Sequence, residues 1–113
     1  MDTDSNIRPI VVPWDYSDKA ECALLHAINF ALSIGANIIL VHITETELDN
    51  AMHVERLNLV AEKVMAGYGI RPSVVVRTGN IFSEIRTVVE QCGAQLAVMG
   101  THGIKGFQAI RFW

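Results

Sequence analysis

Apolar positions along the chain follow two rhythms. Ile7 to Val12 forms a short apolar block that ends at Pro13 and gives way to Trp14-Asp15-Tyr16-Ser17-Asp18, a cluster rich in helix-capping residues. That order predicts a strand, a short loop and a helix start. Ala20, Ala23, Leu24, Ala27, Ile28, Ala31 and Ile34 then recur at three- and four-residue spacings, which places them on one helical face, and Gly35 supplies the left-handed residue that stops the helix.

Asn37 to Ile43 is nearly all apolar and half β-branched, the pattern of a parallel strand covered on both faces. Asp49 or Asn50 can cap the next helix, whose apolar face is Leu57, Val60, Ala61, Val64 and Met65, with Gly67 and Gly69 at its end. Pro72 opens a third strand over Ser73 to Arg77. Thr78-Gly79-Asn80 is a turn with a cap, and Ile81, Phe82, Ile85, Val88, Val89 and Cys92 form the cleanest amphipathic stripe in the chain, closed by Gly93. A fourth strand, Gln95 to Met99, runs into Gly100-Thr101-His102-Gly103-Ile104-Lys105-Gly106.

The order is βαβαβαβ followed by the start of another helix, without repeats or a linker long enough to divide two domains. It predicts one α/β domain over residues 1–113, an open, twisted parallel sheet of Rossmann-like type with helices on both faces. Ligands of such sheets sit beyond the carboxyl ends of the strands, at the switch in strand order, so the loops after Val12, Ile43 and Met99 are the candidate site.

Composition removes whole classes of function. The chain has 113 residues, half of them apolar and 19% charged, with a mean hydropathy of +0.29, which suits a packed core and excludes disorder as a description of the whole. Lys and Arg number 9 against 12 Asp and Glu, a net charge of 9 − 12 = −3, and no basic run exists, so nucleic acid is not an expected partner. Apolar stretches are far shorter than the roughly 20 residues a membrane helix needs. The N-terminus is acidic and polar where a signal peptide is basic and then apolar, so the expected location is the cytoplasm. Cys22 and Cys92 form no C-x-x-C pair and read as buried free thiols.

Candidate chemistry concentrates in the loops. Glycines at 100, 103 and 106 let backbone N–H groups approach an anion, as in a phosphate cradle, although the spacing is neither a Walker A loop nor G-x-G-x-x-G, and such a turn taken alone is more often a tight structural turn. Asp15 can accept hydrogen bonds from a sugar hydroxyl or an exocyclic amine, or it can cap the helix. Ser17 and Asp18 are able to cap in its place. The four histidines, His26, His42, His53 and His102, lack metal-site spacing, so no zinc site is expected, and only His102 falls in a candidate ligand loop. His26 and His42 read as structural. No nucleophile elbow is present, and no catalytic residue is nominated.

Together these residues resemble the universal stress protein family. Val11-Val12-Pro13-Trp14-Asp15-Tyr16-Ser17 looks like the family's P-x-D-x-S start, Ile39 to Ile43 like its second strand, and Met99-Gly100-Thr101-His102-Gly103 like its glycine motif. The resemblance implies a fold of the adenine nucleotide alpha hydrolase type, frequent homodimers and, in one branch, bound ATP or AMP. It would place Pro13 and Asp15 at the adenine and ribose, Ile43 as a backbone contact to the base, and Gly100, His102 and Gly103 at the start of the ribose and phosphate cradle.

The nucleotide-binding branch continues nine residues past the second glycine to Gly-Ser or Gly-Thr. Here, nine from Gly103 reaches Phe112, and Trp113 follows. The resemblance thus implies a domain cut short, either as a truncation or as a natural short version, with four strands, no fifth strand and an exposed apolar edge on Gln95 to Met99. Homo-oligomerisation, as a dimer, is the expected remedy. The function expected is a non-enzymatic stress-response protein that binds ATP or AMP weakly; the alternative is a dimerisation or protein-interaction module without a nucleotide.

Overall fold

A computed structural model describes residues 7–100 and the backbone of residues 107–111. In chain order its elements are β1 (Ile10–Pro13), α1 (Asp18–Ile34), β2 (Ile38–Thr44), α2 (Asn50–Tyr68), β3 (Ser73–Thr78), α3 (Ile81–Cys92), β4 (Leu96–Gly100) and β5 (Phe107–Arg111). The strands form one open sheet in the order β3-β2-β1-β4-β5. The first four run parallel, as the apolar β2 run and its helical crossovers predict.

Each helix starts and stops where its punctuation says. Ser17 caps α1 by accepting from the Ala20 amide, and Asn80 caps α3 by accepting from the Phe82 and Ser83 amides. Gly35, Gly69 and Gly93 all end helices in the left-handed region, at φ 75°, 79° and 67°. Asp49 precedes α2 without a side-chain capping bond.

The core lies in two layers. Ile10 and Val12, Ile38 and Leu40, and Leu96 and Val98 point to one face, where Ala20, Ala23, Leu24, Ala27, Ile28 and Ala31 of α1 join Leu57 and Val64 of α2. The alternate residues Val11, Ile39, Val41 and Ala97 meet Ile85, Val88 and Val89 of α3 on the other. The small residues of α1 let its axis lie close to the sheet. No helix of the described residues is long and apolar enough to cross a membrane.

Three expectations need correction. The fifth strand taken as missing is replaced by one of a different kind, since β5 runs antiparallel along β4 from Leu96↔Arg111 to Gly100↔Phe107. Without it, the amide and carbonyl groups along one side of an apolar strand would be unpaired, and a returning segment satisfies them. The thiols are free, but Cys22 is only half-buried and Cys92 is exposed. The α3 stripe is buried at its centre only. Ile81 and Phe82 are 46% and 72% exposed, because α3 alone of the described helices covers that face of the sheet and its flanks meet no second helix.

Candidate functional site

The order β3-β2-β1-β4 reverses direction between β1 and β4, and an open cleft of about 320 Å³ lies beyond the carboxyl ends of β1, β2 and β4. Pro13, Asp15, Ile43 and Gly100 all line it, together with Trp14, His42 and the first turn of α1 up to Ala20. The remaining sequence-predicted site residues, His102 and Gly103, lie outside the described residues, as does Gly106.

Asp15 stands exposed at the cleft and serves the cap indirectly. Its Oδ1 accepts both the Ser17 amide, at 3.0 Å, and the Ser17 hydroxyl, while Ser17 Oγ accepts the Ala20 amide at 3.1 Å. The Ser17 hydroxyl bond is the main reason the Asp15 carboxyl titrates below the usual carboxylate range, against a smaller opposing effect of burial. Asp15 is therefore an anion at neutral pH, and its Oδ2 has no partner among the described residues. The capping network uses one oxygen of the carboxylate and leaves the other open to the cleft.

Ile43 offers backbone groups. Along β2 the odd-numbered residues turn their amide and carbonyl groups toward β1, since Asn37 O accepts from Ile10 and Val41 O from Trp14 at 2.7 Å. Even-numbered residues face β3, as Thr44 O does in accepting from Gly79. By this alternation Ile43 faces the β1 side, but β1 ends at Pro13, opposite Val41, and the chain turns away. One N–H and one C=O of Ile43 are left side by side at the cleft wall, without a backbone partner among the described residues.

Gly100 is fixed by packing. A Cβ there would lie 2.6 Å from the carbonyl carbon of Lys19, so only glycine lets the end of β4 pass against the first turn of α1. Trp14 is 6% exposed, and its indole Nε1 is buried without a hydrogen-bond partner among the described residues. Among those residues no group of three or more His, Cys, Asp or Glu side chains is arranged to hold a metal ion.

The model of the universal stress protein family matches residues 6–112. The chain belongs to that family. Among solved structures it is similar to a universal stress protein from Archaeoglobus fulgidus DSM 4304, at 25% identity and a TM-score of 0.72, covering 82% of this chain and 33% of that one. The chain thus spans about a third of that relative. A second universal stress protein from Archaeoglobus fulgidus shares the fold at 20% identity and a TM-score of 0.72, covering 92% and 84% of the two chains. One from Burkholderia pseudomallei does so at 23% identity and a TM-score of 0.67, covering 90% and 86%. No curated protein sequence matches the chain significantly.

This universal stress protein also carries a cluster beside the cleft that sequence reasoning missed. The Tyr16 hydroxyl meets His53 Nδ1 at 2.7 Å, His42 Nδ1 meets the Trp14 carbonyl at 2.6 Å, and the two imidazole rings lie 4.3 Å apart. Tyr16 holds φ 66°, the only non-glycine residue described with positive φ. His42 lies within β2 and is half-buried, and His26 is exposed on α1. A signal for the cluster did exist: His53 precedes Leu57 by four positions on the inward face of α2, Tyr16 follows the end of β1 by three residues, and His42 lies two residues before the end of β2.

Proposed function

We propose that this universal stress protein is a cytoplasmic homodimer that binds an adenine nucleotide weakly in the cleft beyond β1, β2 and β4, without catalysis. The observation that carries this reading is the amide and carbonyl of Ile43 at the cleft wall, unpaired among the described residues. Adenine presents an acceptor nitrogen next to an amino donor, which complements one N–H beside one C=O. Guanine presents the reverse order, so the same backbone disfavours it. Asp15, an acceptor-only anion, suits the paired hydroxyls of a ribose.

Phosphates are less well served by the described wall. The first turn of α1 presents partial positive charge and Lys19, but Asp15 and Asp18 line the same cleft. Two carboxylates against one ammonium favour adenosine and AMP over ATP. Calorimetric titration with AMP, ATP and GTP tests the reading: saturable heat is expected in the order AMP, ATP, then GTP. Equal heat for GTP would remove the role given to Ile43.

A second reading, a partner-docking module, is favoured by Ile81 and Phe82, which stand exposed at the start of α3 where Ile81 lines the cleft. Absence of heat with all three nucleotides up to millimolar concentration would put this reading first.

A further inference from the structure

Tyr16 lies between the two residues of the ligand loop that matter most to the cleft, Asp15 and the capping Ser17, and it is held by three side chains from two elements, β2 and α2. Its hydroxyl reaches His53 Nδ1 on α2 at 2.7 Å, its ring packs edge-on against His42 of β2 with centroids 5.0 Å apart, and the Arg56 guanidinium carbon lies 4.2 Å from the ring centroid. His42 in turn donates from Nδ1 to the Trp14 carbonyl, because a carbonyl can only accept. The loop from Trp14 to Ser17 is therefore tied down by two imidazoles whose centroids are 4.3 Å apart.

We propose that this cluster is a pH-sensitive latch on the ligand loop, held shut by neutral His53 and released when His53 takes up a proton. Its consequence for the ligand rests on the nucleotide reading above; the latch itself does not. Burial pushes the Tyr16 phenol upward in pKa, so at neutral pH it is a hydroxyl that can donate to a bare His53 Nδ1. His53 then carries its proton on Nε2. A second proton must go on Nδ1, the atom that accepts from Tyr16, so the phenol can no longer donate there and must turn to accept instead. That proton also places a cation beside the His42 ring and near Arg56.

The charged surroundings set the sign. Burial, then His42, then Arg56 hold the His53 pKa below the ordinary imidazole value, and Asp49 at the start of α2 opposes them. Glu45 lines the same opening as His42, Asp49 and His53, and Asp15 faces His42 from the ligand loop. The depressed pKa means that the open loop binds the proton more tightly than the latched one. The latch is therefore full above the ordinary histidine value of about 6.5 and is lost as pH falls through and below it. Tyr16, freed of His53, can also leave its left-handed conformation, which favours release.

Trp14 provides the readout, since it is buried next to Tyr16 with ring centroids 6.3 Å apart. In a Trp113→Phe background, emission is followed from pH 8 to pH 5 without ligand. A reversible red shift centred below about pH 6.5 is expected. In His53→Asn, whose amide oxygen can accept from Tyr16 without titrating, emission should stay unshifted to pH 5. An identical transition in His53→Asn, or a flat parent profile, would overturn the latch. Nitrogen NMR of the parent protein supplies a second check: His53 must be the Nε2–H tautomer at pH 8, and an Nδ1–H tautomer would also overturn it. AMP, if bound, should bind about tenfold more weakly at pH 5.5 than at 7.5 in the parent and equally at both in His53→Asn. A Trp14 transition with no AMP heat at any pH sinks the nucleotide reading and leaves the latch. AMP binding with a flat Trp14 profile does the reverse.

Discussion

The amide of Trp14 donates to the carbonyl of Val41 at 2.7 Å, the last bond by which β1 holds β2. Everything the cleft can do follows from the chain leaving the sheet at that point. Further along the same side of β2, the Ile43 peptide groups have no strand to pair with among the described residues. One residue after Trp14 stands the Asp15 carboxylate.

Ser17 couples that carboxylate to helix stability. Ser17→Ala removes the cap of α1 and should cost about 1 kcal/mol, a fall in melting temperature of roughly 4–8 °C. It should also raise the Asp15 pKa toward its ordinary value, because the hydroxyl bond is what chiefly lowers it. The parent gains stability from ionised Asp15 above the ordinary carboxyl value of about 3.9 and loses it as pH falls through the lower folded value. Acid titrations of stability should show this contribution in the parent and a smaller one in Ser17→Ala.

Two glycines should respond in opposite directions to alanine. Gly100→Ala pushes a methyl into the Lys19 backbone at 2.6 Å and should destabilise by about 1–3 kcal/mol in a urea melt. Gly67 sits in the last turns of α2 with nothing within 4 Å of an added Cβ, so Gly67→Ala should stabilise by about 0.5 kcal/mol. Equal effects at the two sites would show that the end of β4 does not press on α1.

Self-association is expected at the new sheet edge. With β4 covered by β5, the unpaired row of backbone groups moves to the outer side of β5, which has no further strand among the described residues. Light scattering at micromolar concentration should give about twice the 12.5 kDa chain mass. A 12.5 kDa particle would count against the dimer.

What the sequence made legible is what local periodicity controls. The nearly all-apolar run of β2, the alanine-rich face of α1 and the glycines at 35, 69 and 93 each encode their element without reference to distant residues. Phe107 and Ile110, three apart, suit a helix as readily as a strand, and only pairing with β4 decides for β5. Burial of Ile81 and Phe82 failed for a related reason: amphipathicity says which face is apolar, but whether a neighbour covers its edges depends on the whole layer. Four of the six residues expected at the site, Pro13, Asp15, Ile43 and Gly100, do line one cleft, because strand ends converge in a parallel sheet. The Tyr16, His42 and His53 contacts stayed hidden because they join residues 26 and 37 positions apart, and a lone histidine gives no sign of what it will touch.

Titration calorimetry with AMP, comparing the parent with Asp15→Asn and Asp15→Ala, tests the central claim most directly. Asp15→Asn keeps an oxygen that can accept from Ser17 while removing the charge, so it separates ligand contact from capping. The expected result is saturable binding to the parent, weakened about tenfold, or about 1.4 kcal/mol, in both variants. Equal AMP binding by all three proteins, or none by the parent at millimolar AMP, would contradict the account.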